Sequence, residues 1–162
     1  MSKECINFYK QCRQIAGIVQ ENAAPLLLVS VRQLSDYETG NAKVPDDVVD
    51  RMATIYNAPM LALWHIKNSS DLNKKWLPEI FPTESNSDVW LQTRLANDDC
   101  TKAEQSIMNA LADGNITIDD VDHIDAFLHY TQAFIGKGLS AKAYIMRVRN
   151  ELAAQIDAQK SA

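Results

Sequence analysis

The stretch that decides the fold is residues 26–41, LLLVSVRQLSDYETGN. Ser30 precedes apolar residues at helical spacing, and a serine in this place offers an N-cap oxygen to a helix that begins at Val31. Gly40 stands where the pattern ends, and glycine is the residue that most readily closes a helix. The sequence therefore predicts a short helix from Val31 to about Glu38, with a local signal at each end.

Four more short helices are predicted around this one. Apolar residues recur at steps of three and four, which is the period of a helix with one buried face. Gly17 favours the end of the first helix, Pro45 the beginning of the fourth and Asn57 its end. The sequence thus predicts five helices in about 65 residues; the other four occupy residues 4–16, 20–27, 45–57 and 60–66.

The second half of the sequence differs from the first in composition and in helical pattern. Residues 67–87 are polar, contain Pro78 and Pro82, and are predicted to connect two domains. Three helical patterns follow at 88–112, from Thr117 to 135, and from 139 to about 158, with a break expected at the GKG of residues 136–138. Since no strand pattern occurs, the fold is predicted to be all-α. The predicted domains are residues 1–66 and 88–162, the latter with about three helices.

Charge limits where a polyanion could bind. Residues 1–67 carry seven Lys or Arg and seven Asp or Glu, whereas residues 68–162 carry nine and fourteen. An acidic second half is unsuited to general polyanion binding, and the neutral first half can bind one only if its cations gather on one face. No apolar run is long enough to suggest a membrane span, so we expect a cytoplasmic protein.

Other kinds of site have weak support. His123 and His129 are six residues apart rather than four, and Asp125 with His129 suggests a surface ion pair rather than a metal site. Cys5, Cys12 and Cys100 lack metal-site spacing and are expected to be reduced and mostly buried. No phosphate loop or nucleophile elbow is present. We therefore expect no enzyme, cofactor or metal. Three tryptophans are expected to pack in cores or at the domain junction: Trp64, Trp76 and Trp90.

The segment RQIAGIVQENAAPLLLVSVRQLSDYETGNAKVP, residues 13–45, resembles the XRE-type, lambda-repressor and Cro-like family of helix-turn-helix proteins. The resemblance depends on AG followed by Gln-Glu where helix 2 begins, VS where helix 3 begins, the Tyr-Glu-x-Gly ending, and a basic residue just before proline. It extends over residues 5–66. It implies a five-helix DNA-binding domain whose third helix lies in the major groove of double-stranded DNA. The implied function is a sequence-specific transcriptional regulator, a dimeric repressor of phage or mobile-element type.

The resemblance also implies individual roles. Arg13 and Glu38 match a pair that forms an internal salt bridge between helix 1 and the recognition helix. Arg32 has a planar fork that can pair with guanine, and the amide of Gln33 can both donate and accept. The resemblance implies that Gln20 lies near a phosphate and also braces the recognition helix. The base edges would be contacted by Ser30, Val31, Arg32, Gln33 and Asp36. The phosphates would be contacted from the following loop by Thr39, Asn41 and Lys43.

Several residues depart from the family pattern. Pro25 lies inside helix 2 and removes an amide donor, so that helix should be kinked or short. Leu28 replaces the usual turn glycine, which means that either the turn is rebuilt or a leucine is held at positive φ. Asp36 is an acid on the DNA side, where phosphates repel it. A protein-interaction module that kept the fold and lost the DNA therefore stays as the alternative.

The C-terminal half is the expected partner-binding part. A single recognition helix contacts few base pairs, and proteins of this kind bind paired half-sites as dimers. The wide apolar stripes of residues 88–162 favour a homodimer through these helices. A helical domain that binds another protein is the alternative.

Overall fold

The computed structural model describes residues 7–81 and 83–161. Over these residues the chain is helical and contains no β-strand, so the all-α prediction is confirmed. Within the same range, no helix combines the length and the apolar character that crossing a bilayer requires. The α-helices are α1 (Phe8–Ile15), α2 (Gln20–Leu26), α3 (Val31–Thr39), α4 (Asp46–Ile55), α5 (Pro59–Asn68), α6 (Asp71–Trp76), α7 (Asn86–Ala110) and α8 (Val121–Lys160).

The chain divides into two compact units. The first comprises residues 1–65 and 146–162, and the second comprises residues 66–145. The last part of α8 therefore belongs with the N-terminal helices, although it is far from them in the sequence. The side chains that join the end of α8 to the N-terminal helices follow no pattern that can be recognised in the sequence.

The first unit has an apolar core formed by one face of each N-terminal helix. Leu27, Leu34, Met52 and Leu61 are fully buried at its centre, and burial of a large side chain of this kind contributes about 1.5–3 kcal/mol. Further buried members come from α1 to α4 and from the loops between helices: Tyr9, Cys12, Ala23, Ala24, Tyr37, Val44, Val48, Val49 and Tyr56. The predicted helical stripes of this half thus face one interior.

Aromatic and polar contacts join α1 to α5. Trp64 packs against Phe8 and meets the ring of Tyr9 edge-on, as expected for a core tryptophan. The Tyr9 hydroxyl lies 2.6 Å from His65 Nδ1, and His65 Nε2 lies 3.0 Å from a carboxylate oxygen of Asp46. Burial, reinforced by the charge of Asp46, raises the pKa of Tyr9 to about 12. The phenol therefore stays protonated and can donate to the imidazole.

The end of α8 contacts the α4–α5 connection within the first unit. Asn57 has a φ of +48°, which is the left-handed conformation that asparagine tolerates better than most residues. Its side-chain amide donates to the backbone carbonyl of Arg147 at 3.3 Å and accepts from Asn150 at 3.1 Å. Asn57 thus ends α4 as predicted and also holds the returning helix.

The second unit begins with a helix that the sequence analysis placed in a connection. Ser70 caps α6 by accepting a hydrogen bond from the backbone N–H of Asn73 at 3.1 Å. The buried ammonium of Lys67 donates to the carbonyls of Lys74 and Leu77 at the other end of α6, at 2.9 and 2.6 Å. Carbonyls at a helix C-terminus lack intrahelical partners, so this lysine satisfies them. Part of the predicted connection is therefore ordered helix.

The interior between α7 and α8 is built from small and polar residues. An ion pair of 2.5 Å joins Lys137 to Asp99, and Ser140 accepts a hydrogen bond from the Phe81 N–H at 2.8 Å. The buried residues of this interior are Ala96, Asp99, Ala103, Ser106 and Ala110 on α7, and Gly136, Ser140 and Ala143 on α8.

The predicted helix break at residues 136–138 is wrong, because α8 runs without interruption from Val121 to Lys160. Gly136 lies against the backbone carbonyl of Glu79 and the ring of Pro78, so any side chain at this position would collide with them. Gly138 has open space around its Cα. The first glycine permits close packing and neither of them ends the helix. The C-terminal half consequently has two long helices where three were expected.

Some burial predictions for single residues are also wrong. Trp76 is 67% exposed and Trp90 is 68% exposed, so neither packs in a core of the described chain. Cys100 is exposed as well, whereas Cys12 is buried and its burial raises the pKa of its thiol to about 11. Cys5 lies outside the described residues. The sequence alone did not distinguish the buried tryptophans and cysteines from the exposed ones.

The two glycines of α8 give opposite predictions for the same substitution. Gly136→Ala should lower the free energy of unfolding by about 1–3 kcal/mol, because the new methyl group displaces the Glu79 backbone. Gly138→Ala should raise it by about 0.5–1 kcal/mol through helix propensity. Urea denaturation followed by circular dichroism measures both. Equal effects of the two substitutions would contradict the close approach at Gly136.

Candidate nucleic-acid interface

Helices α2 and α3 are joined by a short turn, and α3 is capped at both ends. The Ser30 hydroxyl accepts a hydrogen bond from the Gln33 N–H, and the Gln33 side chain accepts one from the Ser30 N–H, each at 3.1 Å. This reciprocal capping box satisfies donors that would otherwise lack partners. Gly40 ends the helix at a φ of +78°. Both ends predicted for α3 are thus confirmed, the C-terminal one to within a residue.

The turn between the two helices contains a strained leucine. Leu28 has a φ of +58° and is 77% exposed, while its neighbour Leu27 is fully buried. The Leu28 N–H donates to the carbonyl of Pro25, and the Val29 N–H donates to that of Ala24, which closes α2. Of the two alternatives left open for the missing glycine, the structure has the leucine at positive φ. Helix α2 has seven residues and contains Pro25, in line with the expectation of a kinked or short helix.

A buried ion pair fixes α3 to α1. The Arg13 guanidinium donates to both carboxylate oxygens of Glu38, at 2.6 and 2.8 Å, and the two side chains are only 8% and 2% exposed. Arg13 also donates to the carbonyl of Ile18 at 2.7 Å, and Gln20 donates to Glu38 at 2.9 Å. The predicted internal salt bridge is therefore confirmed. Gln20 performs the brace part of its predicted role through its amide nitrogen.

This ion pair is shielded from solvent. Hydrogen bonding to Glu38 raises the pKa of Arg13 above its already high ordinary value, against the opposing effect of burial. Tyr56 lies in the same region, and burial together with the Glu38 charge raises the pKa of its phenol. The Tyr56 hydroxyl is buried and has no hydrogen-bond partner among the described residues. Low polarity strengthens the attraction between the two charges and makes an unpaired charge costly.

The first turn of α3 is open to solvent. Val31, Arg32 and Gln33 are all exposed, whereas Leu34 and Tyr37 on the other side of the helix are buried. Arg32 forms no ion pair with any residue that the structure describes, so its guanidinium is available to an external partner. The side-chain oxygen of Gln33 is used in the capping box, which leaves its amide nitrogen as the group that can face outward.

The remaining predicted contact residues lie at the far end of α3 and in the loop after it. Asp36 is half-buried, and its backbone carbonyl accepts from the Asn41 N–H at 2.9 Å. Thr39 is exposed, but its hydroxyl donates to the Ser35 carbonyl at 2.8 Å and is therefore less available as a donor. Asn41 and Lys43 are exposed on the loop that leads to α4.

A basic residue that the site prediction did not include lies next to the turn. Arg51 on α4 donates to the carbonyl of Leu27 at 3.0 Å and forms an ion pair with Asp47 at 2.9 Å. The bond to Leu27 supports the end of α2, while Asp47 offsets much of the positive charge. Only the four-residue spacing of Asp47 and Arg51 was readable in the sequence, and it signals a surface pair rather than a contact with the turn.

In the two ranges that the structure describes, no three His, Cys, Asp or Glu side chains gather closely enough to hold a metal ion. Comparisons with family models, with curated proteins and with solved structures gave no match for this chain. The case for a function therefore depends on the geometry and charge of the chain's own side chains.

Removal of the Glu38 carboxylate should be strongly destabilising. Glu38→Ala leaves the Arg13 guanidinium buried without its counter-charge, and loss of one partner of a buried pair costs about 3–5 kcal/mol. The matched control is Asp47→Ala, which breaks the exposed pair with Arg51 and should cost about 0.3–0.5 kcal/mol. Thermal denaturation of both variants measures the difference. A similar small loss in the two variants would show that the buried pair does not brace α3.

The strain at Leu28 can be tested with glycine substitutions two residues apart. Leu28→Gly should leave stability unchanged or raise it by up to about 1 kcal/mol, because glycine removes the cost of a side chain at positive φ. Leu26→Gly, at an exposed position in the helical conformation, should lower stability by about 1 kcal/mol. Chemical denaturation of the pair gives the signs. Destabilisation by Leu28→Gly equal to that by Leu26→Gly would contradict a strained turn.

Proposed function

We propose that residues 1–66 form a five-helix domain of the XRE-type, lambda-repressor-like kind, and that it binds double-stranded DNA with the first turn of α3 in the major groove. The chain then acts in the cytoplasm as a sequence-specific transcriptional regulator, a dimeric repressor of phage or mobile-element type. The residues that contact base edges are those at the beginning of α3, and the dimer forms through the C-terminal helices.

The observation that carries this proposal is the combination of a fixed helix and an exposed first turn. Arg13, Glu38 and Gln20 hold α3 through charged and polar contacts on its buried side. Arg32 is exposed and forms no ion pair with the described part of the chain. A guanidinium presented from a rigid helix loses little entropy on pairing with the two acceptors of a guanine edge.

Charge sets the limit on affinity. The first 67 residues carry no net charge, and ion pairs of Arg13, Arg51 and Lys67 with carboxylates remove three of the seven cations from general phosphate attraction. Lys43, on the loop after α3, is an exposed cation close in the sequence to the proposed contact turn. The proposal therefore predicts few phosphate contacts and a shallow dependence of affinity on salt.

The same charge observation favours a second function. Asp36 lies one turn after the proposed contact residues, where a carboxylate repels phosphate, and it is only half-buried. A protein-interaction module that uses the exposed end of α3 against another protein would tolerate this acid and the missing positive charge. For such a module, a titration against duplex DNA would show no salt-dependent affinity.

Substitution of the proposed base-reading arginine should weaken sequence selection at the base pair it contacts without unfolding the protein. In Arg32→Ala, the loss of a bidentate contact should cost about 1–3 kcal/mol of discrimination at one base pair, with the melting temperature near that of the wild type. Selection from a randomised duplex library measures the preference. The control is Arg94→Ala, an exposed arginine of the second unit, which should leave the preference unchanged.

The phosphate contribution needs a separate measurement. A titration against random-sequence duplex over a salt series gives the number of phosphate contacts from its slope, and Lys43→Ala should reduce that slope by about 1. Loss of affinity in this variant should be similar for all sequences. Absence of salt-dependent binding in the wild type would remove the DNA-binding proposal and leave the interaction module.

A further inference from the structure

Gln33, in the first turn of α3, has a side-chain carbonyl that is fully used inside the protein. Its Oε1 accepts one hydrogen bond from the Ser30 N–H at 3.1 Å and a second one from the Ser30 hydroxyl at 3.2 Å. A carbonyl oxygen has two lone pairs, so both acceptor positions of this amide are occupied. The Gln33 side chain therefore keeps no acceptor for an external partner.

The orientation of the Gln33 amide follows from the groups around it. A backbone N–H can only donate, so the atom of Gln33 that faces the Ser30 N–H must be the oxygen and not the nitrogen. The Ser30 hydroxyl accepts from the Gln33 N–H at 3.1 Å, which leaves its hydrogen to donate to the same side-chain oxygen. Nε2 then lies on the other arm of the amide, and it has no hydrogen-bond partner among the described residues.

Gln33 is exposed, yet its amide is ordered before any partner arrives. The next residue, Leu34, is fully buried, and the ion pair of Arg13 with Glu38 fixes the other end of α3. The two hydrogen bonds to Ser30 restrict the rotations that an exposed glutamine ordinarily has. A donor that is already held in place loses little entropy when it binds.

The bases differ in what they offer to such a donor in the major groove. Guanine presents two acceptors, N7 and O6, whereas adenine presents the acceptor N7 beside the donor N6–H₂, and cytosine presents the donor N4–H₂. A glutamine with a free amide pairs with adenine because it donates to N7 and accepts from N6 at the same time. Gln33 cannot accept, so an adenine edge would keep a donor without a partner.

We propose that Gln33 selects guanine in the DNA site by donating from Nε2 to N7 or O6, and that it does not read adenine. The inference deepens the proposed function and rests on it, because duplex DNA must first lie against the first turn of α3. To read adenine, the carbonyl of Gln33 would have to leave the capping box. The DNA in contact with this turn would exclude the water that could otherwise replace it at the Ser30 N–H.

Arg32 favours the same kind of base edge. Its guanidinium contains donors and no acceptor, and it is exposed without an ion pair to the described part of the chain. Asp36, which can only accept when ionised, lies one turn later and is half-buried. The two long polar side chains of the contact turn, Arg32 and Gln33, thus both require acceptors from the DNA. A site that satisfies both presents guanine at two base pairs.

Two substitutions of Gln33 test the selection. Gln33→Ala removes the donor, so the preference for guanine should be lost at one base pair, which identifies the position that Gln33 contacts. Gln33→Glu keeps one oxygen for the capping box, where glutamate is an ordinary member, and replaces Nε2 by a second oxygen. A carboxylate accepts from cytosine N4, so the preference at this base pair should change from guanine to cytosine by at least about fivefold. Selection from a randomised duplex library, followed by competition between duplexes that differ at this base pair, measures the change.

The control for the added charge is Gln14→Glu, at an exposed position of α1. Both glutamate variants should bind all duplexes more weakly than the wild type, since each adds one negative charge. Only Gln33→Glu should exchange the preferred base. Thermal denaturation without DNA tests the capping box separately: Gln33→Ala should melt at a lower temperature than the wild type, and Gln33→Glu should melt close to it.

The possible failures are distinguishable. A preference for adenine at the position that Gln33→Ala identifies, a preference that Gln33→Ala changes nowhere, or guanine still preferred by Gln33→Glu would overturn the selection by Gln33 while DNA binding stands. Equal loss of thermal stability in the two Gln33 variants would show that the carbonyl is not held in the cap, which removes the basis of the inference. A wild type without salt-dependent affinity for duplex DNA overturns the proposed function and this inference with it.

Discussion

The structure of the first unit depends on one buried ion pair. Arg13 and Glu38 join α1 to α3 with two parallel hydrogen bonds, and Gln20 adds a third contact from α2. A charge in an apolar interior is tolerated only when its partner is present and oriented. The three helices must therefore adopt one arrangement, and slippage of α3 would leave both charges unpaired. The ion pair therefore fixes the orientation of α3 more than it contributes to stability. A fixed orientation suits a helix whose other side is exposed.

Local signals predicted the elements of the first unit well, and tertiary contacts explain what they missed. Ser30 and Gly40 act on the backbone within a turn of their own position, so their effect is visible in a single sequence. Gly136 is different, because its role depends on the carbonyl of Glu79 almost sixty residues earlier. A glycine predicts equally a stop or a close approach, and only the neighbour decides between them.

The same limit applies to the candidate site. The resemblance correctly paired Arg13 with Glu38, since both residues belong to the motif that carried it. Arg51 was not included, because its contact with the Leu27 carbonyl joins two helices with no shared pattern. Composition also predicted that tryptophans would be buried, whereas Trp76 and Trp90 are exposed. Side-chain type indicates a preference for burial, but the neighbours that a side chain meets in the fold decide whether it is buried.

Under the proposed function, the weak charge of the N-terminal domain and the proposed dimer are complementary. If the N-terminal domain binds DNA as proposed, its lack of net charge would give it little from counterion release, so one copy would hold DNA weakly. When two copies are joined, the second contact becomes intramolecular, and the combined affinity can exceed that of one domain by about 10²–10⁴ without any new DNA contact. Low affinity of the single domain then becomes useful, because only a site with two correctly spaced halves is occupied. The proposed dimer through the C-terminal helices would thus supply the selectivity that the charge of the domain does not.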